Sequence, residues 1–132
     1  MPAPGIKSDS DKHRPTLIFR HMPNAIAAVI ECGEFGAKKY DEHPMRCNWD
    51  KVEDGLQRYT DAMLRHQLAE LGGEDRASDS QLLHAAHAAW NSLARLELII
   101  RQRLAQNENT PQQMEIVDFG AIPGGGTRWP YT

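Results

Sequence analysis

Apolar residues recur at intervals of three and four in three stretches of the chain, which is the period of an amphipathic helix. The first stretch contains Ile26, Val29 and Ile30 and follows Asn24, a residue type that often caps helices. Pro44 lies beyond it and disfavours helical geometry in the residue before it. We therefore predict a first helix over about residues 24–40.

Two further stretches have the same period. The second begins near Trp49 and ends at about residue 71, before the helix-stopping pair Gly72 and Gly73. The third covers about residues 80–106, with Asp79 or Ser80 as its cap. Their apolar positions are Val52, Leu56, Tyr59 and Met63 in the second helix, and Leu82, Leu83, Leu93, Leu96, Ile99 and Ile100 in the third. Three helices with one apolar face each predict an all-α bundle.

The two ends of the chain lack this period. Residues 1–15 are polar, with several Pro and Ser, and we predict an irregular arm that belongs to a domain over 1–108. Residues 109–132 are predicted to form an irregular tail, in which Trp129 and Tyr131 would anchor on this subunit or a neighbour. A bundle of this size has little interior, so we expect a homo-oligomer, either a dimer or a dimer of dimers.

Composition narrows the class of protein. The 132 residues are 40% hydrophobic and 25% charged, as in a soluble globular domain, and the net charge of −3 gives no overall footprint for nucleic acid. No apolar run approaches a membrane span or the core of a signal peptide. We expect a cytoplasmic protein, in the host cytoplasm if a phage encodes it, with Cys32 and Cys47 as free thiols.

Charged residues of the first helix share one face. Glu31, Glu34 and Lys38 are spaced by three and four, and Lys39 follows. A solvated stripe is the ordinary interpretation of such spacing. The alternative is a site in which two carboxylates bind a divalent cation and the lysines bind phosphate oxygens. Gly33 and Gly36 favour a close approach by a helix or a ligand, because each weakens the helix.

The second helix carries a matching charged side. Asp54, Arg58, Asp61 and Arg65 are spaced by four, three and four. Salt bridges along one helix would explain the spacing without any site. If Glu31 and Glu34 bind a cation, Asp61 is the best-placed third carboxylate, and Arg65 could bind phosphate.

Polar residues also recur at the start of the third helix. His84, His87 and Asn91 lie on one face among alanines. They are either satisfied polar residues of the core or an interface, or contacts to a substrate; zinc is disfavoured because the usual ligand motifs are absent. Trp49 either stacks on a base or anchors the core, and Asn48 lies beside it.

With these residues assembled, the sequence resembles the dATP/dGTP diphosphohydrolase amino-terminal domains, which are related to the all-α MazG-like nucleoside triphosphate pyrophosphatases. The resemblance covers about residues 5–98 and rests on "GIKSDSDKHRP", "EFGAKKY", "NW", "DAMLRH", "GED" and "HAAHAAWNSLARLEL". It implies hydrolysis between the α and β phosphates with Mg²⁺ or Mn²⁺. The chain resembles the phage branch that acts on (d)GTP, with dATP as a further candidate substrate, in the 2-aminoadenine DNA pathway.

The resemblance assigns roles to residues that match its motifs. Glu31, Glu34 and Asp61 are the expected catalytic and metal-binding residues. Ile30 and Arg58 stand where the related enzymes have further glutamates. The candidates for a missing ligand are Glu53, Asp54, Glu70 and Glu74. The expected phosphate contacts are Lys38, Lys39, Arg65, His66 and Lys12. The expected base contacts are Asn48, Trp49, His84, His87 and Asn91.

Two other functions fit the same sequence. One is a related pyrophosphatase with a different base preference, for example for dUTP or dCTP. The other is a non-catalytic phage protein that binds a host partner through its bundle and its aromatic tail. Neither reading requires nucleic acid or a membrane as a partner.

Overall fold

The computed structural model describes residues 4–40 and 48–108. Within them the regular elements are four helices, α1 Thr16–Phe19, α2 Pro23–Tyr40, α3 Gly55–Leu71 and α4 His84–Glu108. One turn of 3-10 helix, Trp49–Lys51, precedes α3. The described residues contain no strand beyond an isolated bridge between Arg76 and Leu83. The predicted all-α class is confirmed.

The helix starts differ from the predicted ones. The first residue of α2 is Pro23, so Asn24 lies inside the helix and the prediction that it is the cap is wrong. Proline suits a first helical position because the amide hydrogen it lacks would have no partner there. The second long helix begins at Gly55 and not near Trp49, since Val52 is extended and Asp54 has a left-handed φ of 53°.

The third long helix also begins later than predicted, at His84 and not near Ser80. Gln81 has a φ of 60°, which a continuing helix cannot accommodate. The predicted stop after α3 is confirmed. Gly73 has a φ of 95°, and the amide of Glu74 donates to the carbonyl of Ala69, as in a common helix-ending motif.

The helix α1 was not predicted, because four residues are too few to establish a helical period. Its apolar side chains Leu17, Ile18 and Phe19 are each more than half exposed. The arm before it has no regular element in residues 4–15, as the sequence predicts.

The longest helix, α4, packs against both α2 and α3 and so joins the bundle. The buried residues of α4 are small or polar: Ala86, Ala88, Ala94, His84 and Asn91. Leu93 and Leu96, predicted as core positions, are 54% and 48% exposed. That prediction is wrong within the single chain, because alanines allow the helices to approach closely and leave the leucines outside.

Several predictions concern parts of the chain that the described ranges omit. The tail over 109–132 and Cys47 lie outside the described residues. Cys32 is a buried free thiol. No helix within 4–40 and 48–108 is long and apolar enough to cross a membrane. The homo-oligomer stays a prediction.

Candidate functional site

A cavity of about 590 Å³ lies among α2, α3 and α4. Pockets of this size commonly bind small molecules. Each helix contributes a face, and the segment before α3 closes one side. The principal lining residues are Cys32, Phe35, Gly36 and Lys39 from α2; Asn48 and Trp49; Arg58, Tyr59, Arg65 and His66 from α3; Asp79; and His87, Trp90 and Asn91 from α4.

The two glycines of α2 serve different purposes. A Cβ atom on Gly33 would lie 2.9 Å from Nε1 of Trp90, closer than side chains tolerate, so Gly33 allows α2 to approach the indole of α4. A Cβ atom on Gly36 would meet nothing within 4 Å, and Gly36 lines the cavity. Gly33 is therefore a packing residue, whereas Gly36 keeps space open in the cavity.

Three aromatic rings that contact one another line the cavity. The rings of Trp49, Tyr59 and Trp90 meet edge to face, with centroids between 5.7 and 6.3 Å apart. The hydroxyl of Tyr59 donates to the carbonyl of Trp49 and so fixes the segment before α3 against the helix. Such rings offer a flat apolar surface of the kind on which a nucleobase can stack.

The cationic residues Lys39, Arg58 and Arg65 also line the cavity. Nζ of Lys39 donates to a carboxylate oxygen of Asp79 at 3.1 Å. This hydrogen bond raises the pKa of Lys39 and lowers that of Asp79, so both groups are charged at neutral pH. Because guanidinium groups bind phosphate oxygens in pairs, Arg58 and Arg65 suit an anionic ligand.

The loop between α3 and α4 is folded back on itself. The amide of Ala77 donates to the carbonyl of Leu82, and the amide of His84 donates to the carbonyl of Asp75. Ala77 is buried beneath the resulting turn. This reversal carries Asp79 to Lys39 and places the hydroxyl of Ser80 2.7 Å from Nε2 of His87.

Three histidines meet beside Asp79. The rings of His66 and His87 stack with centroids 4.6 Å apart, and Nδ1 of His66 lies 2.8 Å from Nδ1 of His84. Burial, followed by the neighbouring histidines, lowers the pKa of His66 to about 4, and burial also lowers the pKa of His87. Both rings are therefore neutral at pH 7.

The carboxylates predicted as metal ligands lie elsewhere. Glu31 and Glu34 are exposed on α2, and neither lines the cavity. Asp61 is exposed on α3 and accepts hydrogen bonds from Nε2 of Gln57. In the ranges 4–40 and 48–108, no three His, Cys, Asp or Glu side chains are grouped so that they could hold a metal ion. Their assignment as ligands stays a prediction.

The structure brings most of the other predicted residues together. Lys39, Arg65 and His66 of the phosphate set line the cavity, as do Asn48, Trp49, His87 and Asn91 of the base set. Three predicted residues are not among the lining residues. Lys38 is exposed on α2, Lys12 lies in the arm, and His84 is buried behind His66.

Sequence reasoning gave no site role to several lining residues. Trp90 follows His87 by three positions, so its place on the same face could have been found from the helical period. Tyr59 was interpreted as a core position and Arg58 as part of a charged side. Asp79 was considered only as a helix cap, because the loop reversal that carries it to the cavity has no period in the sequence.

Comparison with known proteins identifies the family. The family model described as "dATP/dGTP diphosphohydrolase, N-terminal" matches residues 2–108. The chain belongs to this family. The match ends where α4 ends, so the family domain includes the arm, the cavity and all four helices.

A curated relative of the family domain is the "dATP/dGTP diphosphohydrolase" of Salmonella phage PMBT28. The two are 35% identical over 85 residues, which cover 64% of this chain and 26% of that protein. The aligned part of the chain thus spans about a quarter of the length of the relative. No solved structure matches the chain.

Proposed function

We propose that the domain hydrolyses dGTP or GTP, with dATP as a further candidate substrate, to the nucleoside monophosphate and pyrophosphate. The observation that carries the proposal is a single cavity with aromatic rings at Trp49, Tyr59 and Trp90 and cationic groups at Lys39 and Arg65. A nucleoside triphosphate has matching parts: a flat base that can stack on aromatic rings, and a polyanion, joined to it through a sugar, that cationic groups can bind. The membership of the family, and the name of the phage relative, support this substrate class.

The aromatic and the cationic residues that α3 contributes to the cavity are separated along the helix. Tyr59 precedes His66 by seven residues, which corresponds to about 10 Å along a helix. This separation suits a base held near Tyr59 and phosphates held near Arg65 and Lys39. Asn48 and Asn91, which also line the cavity, offer amide donors and acceptors for a purine edge.

The residues of the chain would favour the reaction by holding charge. Lys39 and Arg65 bind oxygens of the β and γ phosphates, where negative charge grows as pyrophosphate departs. Arg58 binds a nonbridging oxygen of the α phosphate and orients the phosphorus toward water. Asp79 holds Lys39 in place through their 3.1 Å hydrogen bond.

A divalent cation, Mg²⁺ or Mn²⁺, is part of the proposal. When bound, it would supply further positive charge against the phosphates. Glu31, Glu34 and Asp61 have the oxygen chemistry that such ions prefer. Their positions do not fit a common site in the described residues, because they are exposed and line no part of the cavity. We therefore derive no step through the ion.

The ligand assignment can be tested separately from the cavity. If Glu34 binds the ion, Glu34→Gln raises the Mn²⁺ concentration for half-maximal activity by at least about tenfold. If the metal titration of this variant matches that of the wild type, Glu34 is part of a solvated stripe. The cation and its ligands would then have to be sought elsewhere.

The proposal also covers the use of the dGMP product. By resemblance to the phage MazZ enzymes, the dGMP produced would be consumed by a synthetase that makes the 2-aminoadenine nucleotide precursor. The interaction partners proposed are therefore the nucleotide itself and further copies of this chain, with the phage-infected cytoplasm as the location.

One assay tests the function. Purified full-length chain is incubated with each of the common ribo- and deoxyribonucleoside triphosphates and Mg²⁺ or Mn²⁺, and the products are separated by chromatography. Pyrophosphate together with dGMP or GMP supports the proposal. Pyrophosphate with dUMP or dCMP changes the base preference, and the absence of product with every nucleotide and both metals overturns an enzymatic function.

A further inference from the structure

Three side chains form a line of close polar contacts from the cavity wall to the surface. His66 lines the cavity, and its Nδ1 lies 2.8 Å from Nδ1 of His84. His84 is 7% exposed, and its Nε2 lies 3.4 Å from Oε1 of Glu74. Glu74 is exposed, so the line ends at solvent.

The contact between His84 and Glu74 indicates which ring nitrogen of His84 carries a proton. Nε2 of His84 is buried and has no hydrogen-bond partner among the described residues, while the carboxylate of Glu74 is 3.4 Å away. A lone pair at this position would repel the carboxylate, whereas an N–H group is attracted to it. An N–H group of His84 therefore lies at Nε2, facing Glu74.

The inner end of the line is the contact between the two Nδ1 atoms. Donation by Nδ1 of His66 to Nδ1 of His84 accounts for its length of 2.8 Å. A neutral His66 protonated at Nδ1 has its lone pair on Nε2. No hydrogen bond within the described part of the chain engages this atom.

The surroundings of His66 keep the ring neutral. Burial is the largest cause of its lowered pKa, and His87, His84 and Arg65 act in the same direction. Asp79 acts in the opposite direction, but its carboxylate is paired with Lys39 from α2. A bound triphosphate would add negative charge beside Arg65 and Lys39, which favours protonation of His66 once substrate is present.

We propose that Nε2 of His66 accepts the proton of the attacking water, and that His84 and Glu74 position this atom with its lone pair toward the cavity. The inference rests on the proposed function. The water oxygen forms a bond to the α phosphorus, and its proton moves to His66. The bond from the α phosphorus to the bridging oxygen breaks, and the electron pair leaves with pyrophosphate. The proton returns to solvent after product release.

Asp79 is the competing base at this end of the cavity. Its carboxylate accepts hydrogen bonds from Nζ of Lys39 and from the amide of Ser80. These donors stabilise the ionised carboxylate and lower its pKa, so it takes up a proton less readily. His66 has no such donor on Nε2, which favours it as the acceptor.

The arrangement of protons can be measured without turnover. Long-range ¹H–¹⁵N spectra of the full chain with labelled histidine report which ring nitrogen carries the proton. At about pH 7 we expect His66 to be protonated at Nδ1 and His84 at Nε2. The opposite assignment for either ring, or a doubly protonated His66 in the free protein, overturns the inference.

The catalytic part is tested by a matched pair of variants. His66→Gln retains a hydrogen-bonding group but cannot take up a proton, and we expect it to lower kcat by about 10² to 10⁴-fold with little change in KM. The acid limb of the pH profile of kcat should disappear with it. His21→Gln, which alters an exposed histidine before α2, should keep kcat within about twofold of the wild type.

A third variant tests the positioning role. Glu74→Ala removes the carboxylate that faces His84, so an imidazolium on His66 is less stabilised, and the acid limb should move to lower pH as kcat falls. Folding of each variant is checked by circular dichroism, and His66→Asn replaces His66→Gln if the latter does not fold. Full activity of the His66 variant, or loss of the limb only in Asp79→Asn, overturns the inference.

Failure of the proposed function is distinguishable from failure of this inference. If the wild type releases pyrophosphate from no nucleotide, the function fails and the catalytic role of His66 fails with it. If the wild type is active and His66→Gln is equally active, the function stands and the role of His66 is wrong.

Discussion

The two faces of α2 carry similar chemistry but meet different surroundings. Cys32, Gly36 and Lys39 line the cavity, whereas Glu31 and Glu34 are exposed and line no part of it. The first set is spaced by four and three and the second by three, so helical geometry groups both correctly. The period does not say which face meets the cavity. Packing of α2 on α4 decides that, through the contact of Gly33 with Trp90.

The largest expected effect of this difference is on catalysis, and the two adjacent lysines test it. Lys39→Gln removes a cation that lines the cavity, and we expect kcat/KM for the best nucleotide to fall by about a hundredfold, as for other donors that stabilise developing charge. Lys38→Gln removes the same charge from the exposed face and should change kcat/KM by less than about twofold. Steady-state pyrophosphate release measures both.

Equal losses in the two lysine variants would contradict the distinction between the faces. Such a result would indicate that net charge, and not position, determines substrate binding. Measurement at two salt concentrations separates these causes, because screening weakens a general charge effect most strongly.

The next largest effect is on stability, through the packing of Gly33 against Trp90. Gly33→Ala places a methyl group within 2.9 Å of Nε1 of Trp90, so the indole or the helix must shift. We expect a loss of about 1–3 kcal/mol in the free energy of unfolding, as for other overpacked contacts. Urea unfolding measures it, and an unchanged or increased stability would mean that α2 does not approach Trp90 so closely.

Gly36 should respond in the opposite direction. Its added methyl group would enter open space, so Gly36→Ala should raise the free energy of unfolding by up to about 1 kcal/mol through better helix propensity. The same methyl group occupies part of the cavity, and we expect KM to rise by about tenfold. A variant that is more stable and binds substrate equally well would show that ligand does not approach α2 here.

The smallest effect is a dependence of stability on alkaline pH. Burial, and then the charge of Glu31, raises the pKa of Cys32 from 9.0 to about 11. The folded thiol keeps its proton to higher pH than the unfolded one, so its contribution to stability is complete below about pH 9 and is lost as pH rises toward 11. Urea unfolding at several pH values should show a steeper decline in the wild type than in Cys32→Ala, and parallel declines would contradict the shift.

The sequence predicted the helical class and the approximate extents of the long helices. It placed the starts of α3 and α4 too early, because backbone reversals at Asp54 and Gln81 have no periodic signal. It also predicted a leucine core for α4, whereas alanines make the close contacts. Apolar spacing identifies an amphipathic face, but the size of the neighbouring side chains decides which face packs.

Much of the site followed from the residue types and motifs. Lys39, Arg65, His66 and His87 were predicted as ligand contacts, and all of them line the cavity. The contacts of Asp79 with Lys39 and of Glu74 with His84 could not be predicted, because each comes from the folded-back loop between α3 and α4. Contacts of this kind join residues that are distant in the sequence, such as Lys39 and Asp79.

The sequence by itself determined that this chain forms amphipathic helices and which residues share a helical face, because both depend on local backbone geometry. Only the tertiary structure decided that the face with Gly36 and Lys39 meets the cavity, and that His66, His84 and Glu74 lie in line. The physical reason is that close packing among α2, α3 and α4 is set by pairs of residues such as Gly33 and Trp90, which no local pattern connects.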